Sequence, residues 1–384
     1  MGGRHVEQTI VLFHGGDCCF GSLETPFQHS QVAQWHGIEI RIENQTPHPR
    51  TVKFQSAAII GSGSFGTAIA KLLGEDLKSV LIIGRDPESI ASINDKHLNP
   101  RYLKEILLPE HVHATSDICA VVPHPLVIFA VPAGATRQAA GDLAKCGLPE
   151  KTVLLSCAKG IERTSGERMS EILREVFPKN PIAVLSGPNH AEEIAAGQAT
   201  CAVIGSENAE VALELQDLFT KSYFRPYTSA DLAGIELGGA IKNVYAIAAG
   251  MSHGLGLGDN AVAALVTRAL AEMTRLGTAL GGQPETFAGL SGVGDLIVTC
   301  FSEHSRNHRV GLALGQGKTL QEATQALGMV AEGVPSAYSI YELARKADVR
   351  TPIIDAVYSI LYKGMPVAAA MSELLARDTR MESE

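Results

Sequence analysis

The stretch ELGGAIKNVYAIAAG at 236–250 places one ammonium group, Lys242, among Gly, Ala, Ile and Val. On a helix its neighbours at i−4 and i−3 are Gly238 and Gly239, and at i+3 and i+4 Tyr245 and Ala246. Three of these four are tiny, which leaves space beside the lysine, and a substrate fits that space. Desolvation disfavours the charged form and readies a lysine for proton transfer near neutral pH. The plainer alternative is a lysine whose stem packs while its head reaches water. Asn243, pointing elsewhere, is placed to hydrogen-bond a neighbouring element. Further along, LSGVGDLIVTCFSEHSRNHRVG (290–311) offers Asp295 after a glycine-rich turn, then Thr299, then Ser305, Arg306 and Asn307. Arg306 is a fork for a substrate phosphate. Asp295 can orient Lys242 or accept a substrate hydroxyl. His304 and His308 share an i, i+4 face, but no third ligand is apparent and H-E-x-x-H is absent, so no metal site is expected.

A second set of residues reads as a nucleotide site. GSGSFG (61–66) follows the apolar run SAAII (56–60) and opens the helical pattern TAIAKLLGE (67–75). In that context Gly61 permits the tight turn, Gly63 lets the backbone approach a pyrophosphate, and Gly66 lets helix and strand pack closely. The helix N-terminus then offers free N–H groups to the anion. About 20 residues further on, where a ribose partner is expected, the chain has both Arg85 and Asp86. An acid there suits the bare 2′-hydroxyl of NADH, and an arginine the 2′-phosphate of NADPH. Arg85 comes first after the strand, so NADPH is favoured.

Other strand ends carry unusual residues. Pro132 follows LVIFAV, stops that strand and shapes a wall beside the nicotinamide. Lys159 stands just past TVLLSC, within reach of a phosphate or hydroxyl. SGPNHAEEIAAG (186–197) turns into a helix, with Gly187, Asn189 and Ala191 able to bring backbone and amide groups to a ligand. Glu332, in EGVPSA, is a ribose contact or a helix-start acid. A surface lysine and capped helix starts are the ordinary readings. On neighbouring strand ends of one sheet, where ligands bind, the residues favour a site.

The elements that must hold these residues alternate strand and helix up to about residue 230, with apolar runs at 56–60, 79–84, 126–132, 152–157 and 182–187, and helical patterns alone thereafter. The expected fold is α/β: a Rossmann-type doubly wound parallel sheet over 51–233, then an all-helical domain over 234–384. Residues 1–50 read as an extension without order, except for a short strand where Ile38, Ile40 and Ile42 alternate with charges. With 45% hydrophobic and 19% charged residues in 384, the chain is globular. Its net charge of −9 disfavours nucleic-acid binding. No run of about 18 apolar residues occurs, so no membrane-spanning helix is expected. The seven cysteines form no C-x-x-C pair and read as reduced thiols in a reducing, cytoplasmic compartment.

In these motifs the chain resembles the bacterial-type NAD(P)-dependent glycerol-3-phosphate dehydrogenases. GSGSFGTAIA, CAKGIE, LSGPNHAEEIAAG, ELGGAIKNVYAIAAGMSHGLGLGDN, GVGDLIVTC, SRNHRVG and VAEG occur in the family's order and span about 56–376. The resemblance implies interconversion of dihydroxyacetone phosphate and glycerol 3-phosphate, feeding phospholipid synthesis. It implies Lys242 as general acid/base, assisted by Lys159 and Asp295. It implies Lys159, Gly187, Asn189, Asp295, Ser305, Arg306 and Asn307 around a small phosphorylated substrate, and Lys242, Asn243 and Thr299, read from the same motifs, are expected beside them. Ser64, Phe65, Arg85, Ala191, Val330 and Glu332 match positions that hold NADPH or NADH, with Lys159 and Arg306 nearby. A homodimer is expected. Phe65 replaces a commoner Trp or Tyr, Asn189 a Thr or Ser, and His253 an Asp. Two other readings of the same residues are a dehydrogenase of β-hydroxyacids, ketopantoate or nucleotide sugars, and an NADPH-binding regulator without turnover.

Overall fold

The computed structural model describes residues 9–14, 17–22, 31–35, 38–42 and 53–376 apart from 328–330. The chain divides into two compact units, Met1–Thr51 and Val52–Glu384. In the first, β1 (Thr9–His14) pairs antiparallel with β2 (Asp17–Ser22), and β3 (Gln31–Trp35) with β4 (Ile38–Ile42). The strand expected from the alternating isoleucines is β4. A glycine stands in sequence between the members of each pair, which favours a hairpin. The remaining residues up to 52 lie outside the described ones.

The second unit is built on one eight-stranded sheet. Its strands are β5 (Ser56–Ile60), β6 (Ser79–Ile83), β7 (Val112–Thr115), β8 (Leu126–Phe129), β9 (Val153–Ser156), β10 (Ile182–Ser186), β11 (Thr200–Ser206) and β12 (Phe224–Ser229). Their order is β12-β11-β10-β9-β8-β5-β6-β7. β8, β9 and β10 are buried along their whole length, as their unbroken apolar runs require in a sheet covered on both faces. The sheet is parallel from β7 through β10, but β11 pairs antiparallel with β10 and parallel with β12. The doubly wound parallel sheet expected from the sequence is thus present, with one antiparallel junction. There the chain returns beside β10 through a five-residue helix instead of crossing over the sheet.

Six helices accompany the sheet: α1 (Ser64–Leu73), α2 (Pro87–Lys96), α3 (Thr136–Ala144), α4 (Met169–Val176), α5 (Ala191–Ala195) and α6 (Ala209–Phe219). After β12 every described element is helical, as expected. These are α7 (Leu232–Gly254), α8 (Asp259–Ala279), α9 (Pro284–Phe287), α10 (Asp295–Phe301), α11 (Arg306–Gly315), α12 (Leu320–Leu327), α13 (Gly333–Lys346), α14 (Pro352–Lys363) and α15 (Val367–Leu375).

Helix α7 is the axis of the helical half and is buried without a break from Gly234 to Ser252. Two charges lie inside that stretch, Glu236 and Lys242, and each is neutralised by a distant element. Glu236 accepts from the Ser170 N–H at 2.8 Å, the Ser170 hydroxyl at 2.5 Å and Arg168 Nη1 at 2.7 Å. It therefore ties α7 to the start of α4. Burial raises its pKa against the pull of Arg168 and Ser170. Glu272 on α8 similarly accepts the Ile353 and Ile354 N–H groups at 3.0 Å each, capping α14. Burial pushes its carboxyl up to about 7.

The cysteines depart from expectation. Cys119 and Cys146 form a disulfide with Cα atoms 5.2 Å apart, whereas Cys157, Cys201 and Cys300 are free. A separation of 27 residues hid that proximity from a reading of spacing alone. Among the described residues no helix is long and apolar enough to cross a membrane.

Candidate active site

The glycine-rich turn sits where the strand order reverses, between β6 and β8 on either side of β5. Gly61 has φ +121°, and a Cβ there would meet the Ala130 carbonyl oxygen at 2.7 Å. A Cβ on Gly66 would meet the Gly61 oxygen at 2.0 Å, so this helix start can close on the turn only as glycine. Gly63 differs: a Cβ there meets nothing within 4 Å, so its side of the turn is an open cradle. Ser64 begins α1, and Phe65 packs half-buried on the sheet core. Asn99 locks the turn from beneath, donating to the Ser62 carbonyl and to Thr67 Oγ1 at 2.9 Å each. Its Oδ1 accepts from the Arg101 and Tyr102 N–H groups at 3.2 Å each, which local sequence could suggest as a turn, but the two bonds to the cofactor turn span 37 and 32 residues.

Beyond β6, Arg85 and Asp86 separate into two roles. Asp86 caps α2, with its carboxylate accepting from the Ser89 N–H at 3.0 Å and the Ser89 hydroxyl at 2.5 Å. The Ser89 hydroxyl and N–H hold its pKa below the usual carboxylate range. Arg85 is exposed and has no hydrogen-bond partner among the described residues. Pro132, also exposed, begins the turn after β8. The N–H of the next residue, Ala133, donates to Glu332 Oε1 at 3.2 Å, which brings the start of α13 to the end of β8. Burial raises the Glu332 carboxyl, with the Ala133 N–H and the Arg306 charge pulling the other way. Val330 lies outside the described residues.

The polar centre is a single buried carboxylate shared by two lysines. Asp295, 1% exposed at the start of α10, accepts from Lys242 Nζ through Oδ1 and from Lys159 Nζ through Oδ2, both at 2.8 Å. Thr299, one turn on, accepts from Lys242 Nζ at 2.5 Å and donates to the Asp295 carbonyl at 2.6 Å. Lys159 also donates to the Gly187 carbonyl at 2.8 Å and to Asn189 Oδ1 at 2.7 Å. Burial lowers the Lys159 ammonium to about 8 although Asp295 opposes it. Burial alone would raise Asp295, but the two lysine charges outweigh it and hold the carboxyl below its ordinary value. The centre is therefore a carboxylate between two ammonium groups drawn from the β9 end, α7 and α10.

The space beside Lys242 is filled differently from the sequence expectation. A Cβ on Gly238 would meet the Ser291 carbonyl oxygen at 2.5 Å, and one on Gly239 would meet Ser186 Oγ at 2.8 Å and Lys159 Cγ at 3.4 Å. The two glycines thus admit the 290–294 turn and the Lys159 stem.

Asn243 and Asn307 form a buried relay behind the lysines. Asn243 Nδ2 donates to the Lys159 carbonyl at 3.1 Å, Asn307 Nδ2 to Asn243 Oδ1 at 2.8 Å, and the Gly333 N–H to Asn307 Oδ1 at 2.9 Å. Ser305 caps α11, accepting from the His308 N–H at 3.2 Å. Arg306 begins that helix, is exposed, and has no hydrogen-bond partner among the described residues. Ala191 begins α5 and is buried. Asn189 is 5% exposed, and its Nδ2 has no partner among the described residues. Next to it stands His190, which sequence reasoning passed over. Its Nε2 is buried and has no partner among the described residues, and burial followed by the charges of Lys242 and Lys159 lowers its pKa to about 4. His308, singled out with His304, contacts His253 instead, with ring nitrogens 2.7 Å apart.

Models of two domains match this chain: the N-terminus of NAD-dependent glycerol-3-phosphate dehydrogenase over 56–212, and its C-terminus over 231–372. The chain belongs to that family. It is 46% identical over 334 residues to the glycerol-3-phosphate dehydrogenase [NAD(P)+] of Enterococcus faecalis, covering 86% of this chain and 98% of that protein. The solved glycerol-3-phosphate dehydrogenase of Coxiella burnetii superposes with a TM-score of 0.81 at 35% identity, covering 84% of this chain and 99% of that one. The enzyme of Saccharomyces cerevisiae superposes with a TM-score of 0.74 at 28% identity, covering 85% of this chain and 100% of that one.

Proposed function

We propose that the shared-carboxylate centre carries out the proton half of the reaction between dihydroxyacetone phosphate and glycerol 3-phosphate. The chain is an oxidoreductase that interconverts these compounds with NADH or NADPH. The carrying observation is one buried carboxylate, Asp295, fixing two lysines at 2.8 Å each. Gly63 leaves its side of the turn open and the start of α1 offers N–H groups, so the turn fits a dinucleotide pyrophosphate. Gly61, Gly66, Ser64, Phe65, Arg85, Pro132, Ala191, Val330 and Glu332 complete the residues that hold it, with Lys159 and Arg306 nearby. When bound, the nicotinamide supplies or takes the hydride at carbon 2.

In the reductive direction Lys242 gives a proton to the oxygen on carbon 2, and in the reverse direction it takes that proton back. Asp295 and Thr299 fix its Nζ, so the donor is held before the substrate arrives. Lys159, kept cationic below about pH 8, stabilises the negative charge that develops on the same oxygen. Arg306, free at the start of α11, and the N–H groups of that helix take the phosphate. Gly187, Asn189, Ser305, Asn243 and Asn307 line or brace this space. Asn189 Nδ2, buried without a partner, is its spare donor.

A pH dependence follows. Lys159 loses its proton at about 8 in the folded protein, against an ordinary value of 10.5. The charge therefore costs stability below about pH 8, and that cost fades as the pH rises toward 10.5. Reduction of the triose phosphate is expected to fall as pH rises through about 8, as the cation is lost. In Lys159→Arg, which stays charged, that limb should disappear from the pH profile of kcat. An unchanged profile in the variant would remove Lys159 from this role.

NADPH is the preferred cofactor in this reading, because Asp86 is committed to its helix cap while Arg85 is free. Arg85→Ala is expected to lower kcat/KM for NADPH by about 10–100-fold, the worth of a charge-assisted hydrogen bond, and to leave NADH nearly unchanged. Equal losses with both cofactors would refute it.

Residues 51–233 then form the dinucleotide-binding domain and 234–384 the helical substrate domain, with Lys159, Gly187 and Asn189 reaching the substrate from the first and Glu332 the cofactor from the second. The product feeds glycerophospholipid synthesis in the cytoplasm, where both phosphorylated reactants are metabolites. The active form is a homodimer joined through the helical half, where Ile297 and Phe301 are about half exposed on α10; sedimentation at micromolar concentration tests it.

A further inference from the structure

Cys119 and Cys146 stand apart from the active site. Cys119 is exposed in the short turn Ile118–Val121 between β7 and β8. Cys146 is half-buried, just past the end of α3. The bond between them closes a covalent ring over 27 residues. Inside that ring lie β8, Pro132, Ala133 and α3. This is the unit whose Ala130 backs Gly61 of the cofactor turn and whose Ala133 N–H reaches Glu332. The remaining described thiols do not compete for this chemistry. Cys157 and Cys300 are buried, and burial pushes both up to about 12. Cys201 lies on β11, across the sheet from β8.

We propose that Cys119 and Cys146 form a reversible thiol–disulfide site that exchanges with small-molecule disulfides and, when oxidised, locks the β8–α3 unit of the cofactor half. The exposed Cys119 thiolate attacks one sulfur of the small disulfide, and a first small thiolate leaves. The Cys146 thiolate then attacks the Cys119 sulfur of the mixed disulfide, and the second small thiolate leaves. Two electrons pass from the cysteine pair to the small disulfide, and the two cysteine protons end on the two released thiols. Excess small thiol runs the exchange backward. Closing the ring removes open conformations of the enclosed segment, so the oxidised form resists local and global unfolding. Cys119 and Cys146 lie on the connections that enter the parallel strands β8 and β9, at the opposite strand end from Lys159, so turnover at low temperature should be the same in both forms.

The test equilibrates the purified full-length chain with oxidised or reduced glutathione and reads three quantities. Peptide mapping without reductant should show the Cys119–Cys146 link only after oxidised glutathione. The melting temperature should rise by about 5 °C or more on oxidation. Hydrogen exchange should slow across 126–144, and all three changes should reverse with reduced glutathione. Cys119→Ser should stay at the reduced values in both buffers. If that variant does not fold, the two wild-type forms alone decide the matter. A protein that keeps both thiols in oxidised glutathione, or carries only a glutathione adduct, overturns the proposal. So does a linked protein with unchanged melting and exchange.

Discussion

Lys242→Ala is expected to fold as the parent does and to lose turnover by about 10²–10⁴-fold, the usual worth of a positioned proton donor. The fold survives because the change orphans no charge. Asp295 keeps Lys159 at 2.8 Å, and Thr299 still donates to the Asp295 carbonyl at 2.6 Å. Alanine also suits the interior of α7, where Ala240 and Ala246 already pack fully buried. KM for the triose phosphate should change far less than kcat, since Arg306, the proposed phosphate contact, is left in place. Circular dichroism and melting check the fold, and NADPH oxidation under saturating substrate checks the rate. Near-parental turnover in a folded variant would take the proton from some other group.

Asp295→Asn is expected to cost more, because it damages stability and rate together. Among the described residues the carboxylate is the one anion bonded to both buried ammonium groups, and an amide leaves two cations facing a neutral partner. Breaking a buried ion pair from one side typically costs about 3–5 kcal/mol. Turnover should drop by about 10²–10³-fold, because Lys242 and Lys159 lose their fixed positions. The pH dependence of the parent has a definite sign. Asp295 is held below its ordinary carboxylate value, so its contribution to stability is complete above that value and is lost as acid protonates it. The variant's stability should therefore fall less than the parent's on acidification. Denaturant melts at neutral and acid pH measure the difference; parallel losses would mean the carboxylate is not the anchor of the centre.

How far the site was legible in the sequence depended on the range of each contact. Lys242 stood out as a lone cation on an apolar helix, and Asp295, Thr299 and Arg306 as polar residues in short motifs. Their convergence could only be inferred, because the bonds joining Lys159, Lys242 and Asp295 span 53 and 136 residues. Gly238 and Gly239 were visible as small residues, yet what fills the space beside them is the 290–294 turn and Lys159. That partner is set by packing, which a helical wheel does not show. Asn99 signals only its own local turn, and Glu236 and His190 carry no local signal at all. Asn99 looks like a loop residue and Glu236 like a solvated helix acid until their partners arrive from other elements.

The fold followed the same rule. The buried strands β5, β6, β8, β9 and β10 announce themselves as apolar runs. The edge strands β7 (VHAT) and β12 (FRPYTS) are half polar, since one side of each has no strand to meet. The reversal at β11 rests on a short connection and not on any residue pattern. Arg85 and Asp86 pulled opposite ways in the sequence, and the Ser89 cap separates them by taking up the carboxylate.

The most direct measurement follows absorbance as dihydroxyacetone phosphate is added to the purified chain with NADPH, and separately with NADH. Rapid oxidation that requires the triose phosphate, faster with NADPH than with NADH, is the predicted result. No oxidation from a protein that still binds NADPH would contradict it, and would assign the Lys159–Asp295–Lys242 centre to a different substrate.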